Sequence, residues 1–267
     1  MPSPTYWQKQ EKPLYKDLEW NFPEQKQNSI SIIGGNAQSF STPIKVAEYL
    51  KTNFPLKTVK TVLPECLKSK FPPAALASED LKFTKSTPSG SFDKSAELTS
   101  AASDFTMFVG DLSKNSTTTV AIADAVKASG ETPTLLTRDT IDLLLPEMPN
   151  LIEKENLFII ASLTQLQKLF RAVYYPKVLL LSEPLLPIIE TLHKFTLSYP
   201  NLTLLTFHES QIIVGNNGEI ITTPLENTNY SPISLWSGPL AANVAAMNLW
   251  NPKKPKEATA AAILYTS

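Results

Sequence analysis

The chain has 267 residues and is 42% hydrophobic, enough to fill one large α/β domain or two small ones and too much for a chain disordered throughout. Its 24 basic residues nearly cancel its 25 acidic ones and the pI is about 6.2, so no global field favours nucleic acid or an anionic membrane as partner. The N-terminus lacks a basic flank followed by an apolar stretch, and no apolar run approaches the ~20 residues of a spanning helix; the expectation is a soluble, cytoplasmic protein.

A single cysteine, Cys66, allows no intrachain disulfide and reads as a small buried hydrophobe. Glycine is scarce, at 8 residues, and proline abundant, at 22, which counts against phosphate-cradling glycine loops.

Residues 1–28 have no clear period, yet Trp7, Tyr15, Leu18, Trp20 and Phe22 are too apolar for a solvated tail. They are expected to form an arm packed over the domain or against another subunit, the second case making a homo-oligomer. A single α/β domain is expected over 29–267. Ser29–Ile33 reads as a buried strand running into Gly34-Gly35-Asn36, and Thr42 is expected to cap a helix opened by Pro43, with Ile44, Ala47 and Leu50 on one face. Thr58–Leu63 is the next strand. From Glu65 to Gly90 the pattern blurs, with a short strand over Leu81–Thr84, and Asp93–Ala102 looks helical.

Phe105–Leu145 carries the clearest order: an apolar run ending at Gly110, a polar turn, a helix closed by Gly130, a second apolar run, and a polar turn opening another helix. Two strands joined this way are parallel neighbours, which puts both polar turns at the edge where open α/β sheets bind ligands. Leu157–Ile160, Val178–Leu181 and Leu202–Thr206 read as further strands, separated by helices over Thr164–Ala172 and Leu185–Phe195. Such alternation predicts a three-layer α/β/α domain with a mostly parallel sheet. Gln211–Val214 and Glu219–Thr223 then flank Gly215-Asn216-Asn217-Gly218 as a hairpin, an antiparallel edge. Ile233–Trp236 and a glycine turn lead into a buried helix, Leu240–Leu249, and Ala258–Leu264 is a last short helix.

The candidate site residues lie in the turns. Asp139 is either a helix N-cap or a functional carboxylate. Asp111 and Asn115 hold a ligand hydroxyl or a metal-bound water, or serve as ordinary turn residues. Gly34, Gly35 and Asn36 either bring backbone N–H groups to a ligand or make a tight turn. His208-Glu209-Ser210 has the residue types of a hydrolytic triad, but neighbours in a strand point to opposite faces. Two histidines and one cysteine give no zinc-type spacing, so no metal site is assigned.

Taken together, Ile32-Ile33-Gly34-Gly35-Asn36, Phe108-Val109-Gly110-Asp111-Leu112, Thr137-Arg138-Asp139-Thr140-Ile141-Asp142-Leu143-Leu144 and the late hairpin followed by a glycine turn resemble the ribokinase-like superfamily. Within it they are most similar to the ADP- or ATP-dependent NAD(P)H-hydrate dehydratase branch, often labelled carbohydrate kinase. The resemblance implies a ribokinase-like fold from about Ser29 onward and a nucleotide-type ligand. It also implies ADP or ATP with Mg²⁺ where the family activity is retained, and Gly110, Ser237 and Gly238 as further site positions. Where that family has glycine-threonine-glycine-aspartate at the late helix, this chain has Trp236-Ser237-Gly238-Pro239-Leu240. Its threonine-proline-histidine-proline-glycine-glutamate stretch corresponds to Ala161-Ser162-Leu163-Thr164-Gln165. The resemblance therefore implies a catalytically degenerate binding or interaction protein, or an active relative whose catalytic carboxylate has moved to Asp111 or Asp139.

Overall fold

The computed structural model describes residues 5–10, 12, 18, 23–98 and 103–265. Its strands are β1 (Trp7–Lys9), β2 (Gln27–Ile33), β3 (Leu56–Pro64), β4 (Leu81–Thr84), β5 (Phe105–Phe108), β6 (Thr134–Thr137), β7 (Leu157–Ile160), β8 (Leu202–His208), β9 (Gln211–Asn216) and β10 (Glu219–Pro224). The helices are α1 (Ser41–Asn53), α2 (Pro73–Leu76), α3 (Ser116–Ala128), α4 (Asp139–Leu144), α5 (Met148–Leu151), α6 (Leu163–Ala172), α7 (Leu185–Ser198), α8 (Pro239–Trp250) and α9 (Pro255–Leu264). All ten strands join one sheet in the order β1-β10-β9-β8-β7-β6-β5-β2-β3-β4. Among the described strands, only the β8–β9 and β9–β10 pairings are antiparallel.

Alternation along the strands separates two cores. Ile33, Phe108, Leu136, Ile159 and Leu204 face the layer of α3 to α7, where Ile122, Leu166 and Ile188 meet them. Ile32, Met107, Leu135, Ile160 and Leu205 face α1, α8 and α9, against Val46, Leu50, Ala245 and Ile263. Each such side chain contributes about 1.5–3 kcal/mol on full burial. α8 is buried on nearly all sides because its alanines let α9 approach closely, and Asn248 Nδ2 donates to Thr259 Oγ1 between them.

Residues 5–10 of the N-terminal segment lie on the protein's own sheet. β1 pairs in parallel with β10, Trp7 Nε1 donates to Thr222 Oγ1, and the Gln10 amide reaches Thr223 Oγ1 and the Ala260 carbonyl. Leu18 is buried, whereas Tyr15, Trp20 and Phe22 lie outside the described residues.

Several local expectations are corrected. The helix expected over Asp93–Ala102 is absent over Asp93–Leu98: Asp93 Oδ1 accepts from the Ser95 amide and hydroxyl, a local turn that competes with helix, and 99–102 lie outside the described residues. Val178–Leu181 is not a strand. β7 pairs directly with β8, which leaves no place in the sheet between them, and only Leu179 of the run is buried. Thr42 does not cap α1, which starts at Ser41 with Phe40 at the N-cap and no side-chain cap of its own. No described helix is long and apolar enough to cross a membrane.

Candidate functional site

From β2 the chain steps outward through β3 and β4 on one side and through β5, β6, β7 and β8 on the other. The crevice outside the carboxyl ends of β2 and β5 is therefore the topological switch point, the place where open α/β sheets bind ligands. The turns after β2, β5 and β6 converge there, and two clefts open between them. The first, of about 490 Å³, is lined by Asn36, Ser39, Ser89, Ser91, Asp111, Lys114, Asn115 and Asp139, among others. The second, of about 450 Å³, is lined by Arg138, Asp139, Asp142, Ser162, Gln165 and Trp236. Asp139 belongs to both.

Asp111 does for α1 what Thr42 was expected to do. Its Oδ2 accepts from the Thr42 amide at 3.2 Å, placing a negative charge at a helix N-terminus, and its Oδ1 accepts from Arg138 Nη2 at 3.1 Å. Arg138 Nη1 donates to the Trp236 carbonyl at 3.0 Å, just before α8, while its Nε is buried without a partner. Asp111 and Arg138 both hold left-handed backbone, at φ 56° and 58°. Such conformations are strained for residues with a Cβ and cluster at functional sites.

Asp139 is not the N-cap; it is the first residue of α4, and Arg138 is the cap. Its Oδ2 accepts from the Leu112 amide at 3.1 Å, tying the β6 turn to the β5 turn, and its Oδ1 is buried without a partner. Burial pushes its carboxyl above the ordinary aspartate range, against the Leu112 hydrogen bond and the Arg138 charge, which pull it down. Gly110 lies beneath this pair. A Cβ there would stand 2.9 Å from Arg138 Cβ and closer still to Asp139 Oδ1.

In the second cleft Gln165 Oε1 accepts from the Ser162 amide and Ser162 Oγ from the Gln165 amide, a capping box opening α6. Gln165 Nε2 donates to the Arg138 carbonyl and to Asp142 Oδ2, and Lys168 Nζ donates to Asp142 Oδ1 at 2.6 Å. Burial alone would raise the Asp142 carboxyl; these donors outweigh it and hold the group below the ordinary range.

The backbone N–H groups expected to reach a ligand are used within the protein: Gly34 donates to Val62, Gly35 to Gly110 and Asn36 to Ser39. Of these three residues Asn36 alone lines the first cleft, and its side chain orders its own turn by accepting from the Gln38 and Ser39 amides. Asn115 is the N-cap of α3, accepting from the Thr118 amide at 2.9 Å. Ser237 faces a different hollow, of about 300 Å³, with Tyr49, Tyr230 and Tyr265, and Gly238 packs against Val46. His208 Nε2 meets the Glu183 carbonyl, and Glu209 sits in the tight turn to β9 at φ 49°, so the three adjoining polar residues build no triad. Arg138, Gln165 and the Ser89–Ser91 loop were not among the expected residues. The readable signals were a charged residue directly after a buried strand and the Ser-x-x-Gln spacing.

Solved structures share this architecture. A ribokinase-like superfamily protein from Enterococcus faecalis V583 matches with a TM-score of 0.69 at 13% identity, over 99% of this chain and 87% of that one. The ADP/ATP-dependent NAD(P)H-hydrate dehydratase of Bacillus subtilis, co-crystallised with ATP/Mg²⁺ and soaked with CoA, matches at 0.60 and 10% identity, over 92% and 82%. A B. subtilis pyridoxal kinase in complex with ADP matches at 0.50 and 12% identity, over 89% of each chain. No protein-family model and no curated protein matches the sequence. The chain has a ribokinase-like α/β fold.

Proposed function

We propose that the protein binds a small polar ligand of nucleotide type at the switch-point clefts and does not carry out dehydratase or kinase chemistry. The observation that carries this reading is the start of α8. Pro239 occupies its first position and removes a backbone donor, no acidic residue lies in its first turn, and Leu240 and Ala241 are buried. A general base and an anion-binding helix end are both missing where the resemblance places them. These residues do not fit a nucleotide triphosphate with Mg²⁺ held for phosphoryl transfer, and among the described residues no trio of His, Cys, Asp or Glu converges as a ligand set for a metal. The serine, amide and carboxylate groups lining the first cleft, with Lys114 beside them, support hydrogen bonding to a hydroxylated ligand instead. Incubation with hydrated NAD(P)H and ADP or ATP is expected to give no turnover above background; turnover contradicts the reading.

One observation favours a second reading. Asp139 borders both clefts and its carboxyl is raised by burial, as a relocated acid or base requires. Under this reading, any activity found disappears on changing Asp111 and Asp139 together to asparagine; activity that survives the double change removes it.

A further inference from the structure

We infer that Arg138 is a latch that joins the entrance of α8 to the β5 and β6 turns and keeps the two clefts apart. The guanidinium spans two acceptors: the Asp111 carboxylate, whose residue lines the first cleft, and the Trp236 carbonyl, whose residue lines the second. Asp111 in turn holds the start of α1 through the Thr42 amide, so one side chain links four segments. A planar fork with donors on two nitrogens can do this; a single ammonium cannot hold both acceptors in the same geometry. The arrangement is under load. Asp111 and Arg138 both have positive φ, and Arg138 Nε stays buried and unpaired although Nη1 and Nη2 are satisfied. Release of the Trp236 carbonyl would free the 233–238 turn and remove the partition between the clefts. A ligand longer than either cleft is then admitted only when Arg138 lets go. That the clefts hold a ligand rests on the function proposed above; the latch itself does not.

Its test needs no ligand, so failure of the latch and failure of the binding reading are distinguishable. Amide hydrogen exchange is followed at Leu235, Trp236 and Ser237, whose N–H groups bond within the 231–237 turn. Arg138→Ala is expected to speed exchange there by about tenfold or more, the scale of a lost hydrogen bond to a charged group. Millimolar methylguanidinium, which restores the missing fork, is expected to return exchange towards the wild-type rate. Arg138→Lys is expected to remain fast. Wild-type exchange in the alanine variant, an acceleration that methylguanidinium leaves in place, or wild-type exchange in the lysine variant each overturns the inference. If the alanine variant does not fold, the lysine variant alone decides: fast exchange supports the latch and wild-type exchange refutes it.

Discussion

Gly110→Ala probes the packing on which the site is built. Gly110 has φ 88°, and a Cβ there would meet Arg138 Cβ at 2.9 Å and come closer to Asp139 Oδ1. Left-handed backbone disfavours an L side chain by about 1–2 kcal/mol. Forcing a methyl group into a filled space adds about 1–3 kcal/mol, since Arg138 and Asp139 are held by bonds to Trp236, Asp111 and Leu112 and cannot simply move away. The sum is about 2–5 kcal/mol, which at roughly 3 °C per kcal/mol for a chain of this size lowers Tm by about 6–15 °C. Gly130→Ala is the control. Gly130 also has positive φ, 54°, but a Cβ there meets nothing within 4 Å, so only the backbone cost of about 1–2 kcal/mol applies. Unfolded-chain entropy offsets both variants alike. Thermal unfolding by circular dichroism compares them, and equal losses in the two variants would refute the close packing of Gly110 under Arg138 and Asp139.

Two further changes test individual groups. Because burial raises the Asp139 carboxyl, its ionisation disfavours the folded state at neutral pH; that penalty vanishes as pH falls through the folded-state pKa toward the ordinary value of about 3.9. The stability of Asp139→Asn relative to wild type is therefore expected to be greatest near neutral pH and to shrink in acid, and a difference independent of pH in denaturant titrations contradicts this. Asn115→Ala removes the α3 cap and leaves the Thr118 amide without its acceptor, at an expected cost of about 0.5–2 kcal/mol in urea unfolding. An unchanged midpoint would mean that the cap contributes nothing.

The sheet was legible because its strands are short apolar runs bounded by turns, and because helices of the right length separate them. Val178–Leu181 shows where that signal fails. An apolar run becomes a strand only if a neighbour in the sheet accepts it, and β7 with β8 had already closed that gap. The site was legible as a place, through the turns after β2, β5 and β6, but not as a set of contacts. Asp111 serves a helix 69 residues earlier, and Arg138 reaches a carbonyl 98 residues later. Such partners depend on strand order, which no local pattern encodes. The local pattern at Asp139 fits a helix N-cap as well as a functional carboxylate, since a carboxylate before a short helix usually caps it; the β5 turn instead offers it the Leu112 amide.

The switch-point clefts are proposed to bind a small molecule. Thermal unfolding of the pure protein against ADP, ATP, AMP, NAD(P)H and sugar phosphates, each with and without Mg²⁺, tests it most directly. A ligand at a hundred times its Kd adds about 2.7 kcal/mol, which raises Tm by roughly 5–10 °C for a chain of this size. Such a shift is expected for at least one nucleotide-type ligand, as is its loss when Asp111 and Asp139 are both changed to asparagine. No shift across the panel, or a shift that the double variant keeps in full, would contradict it.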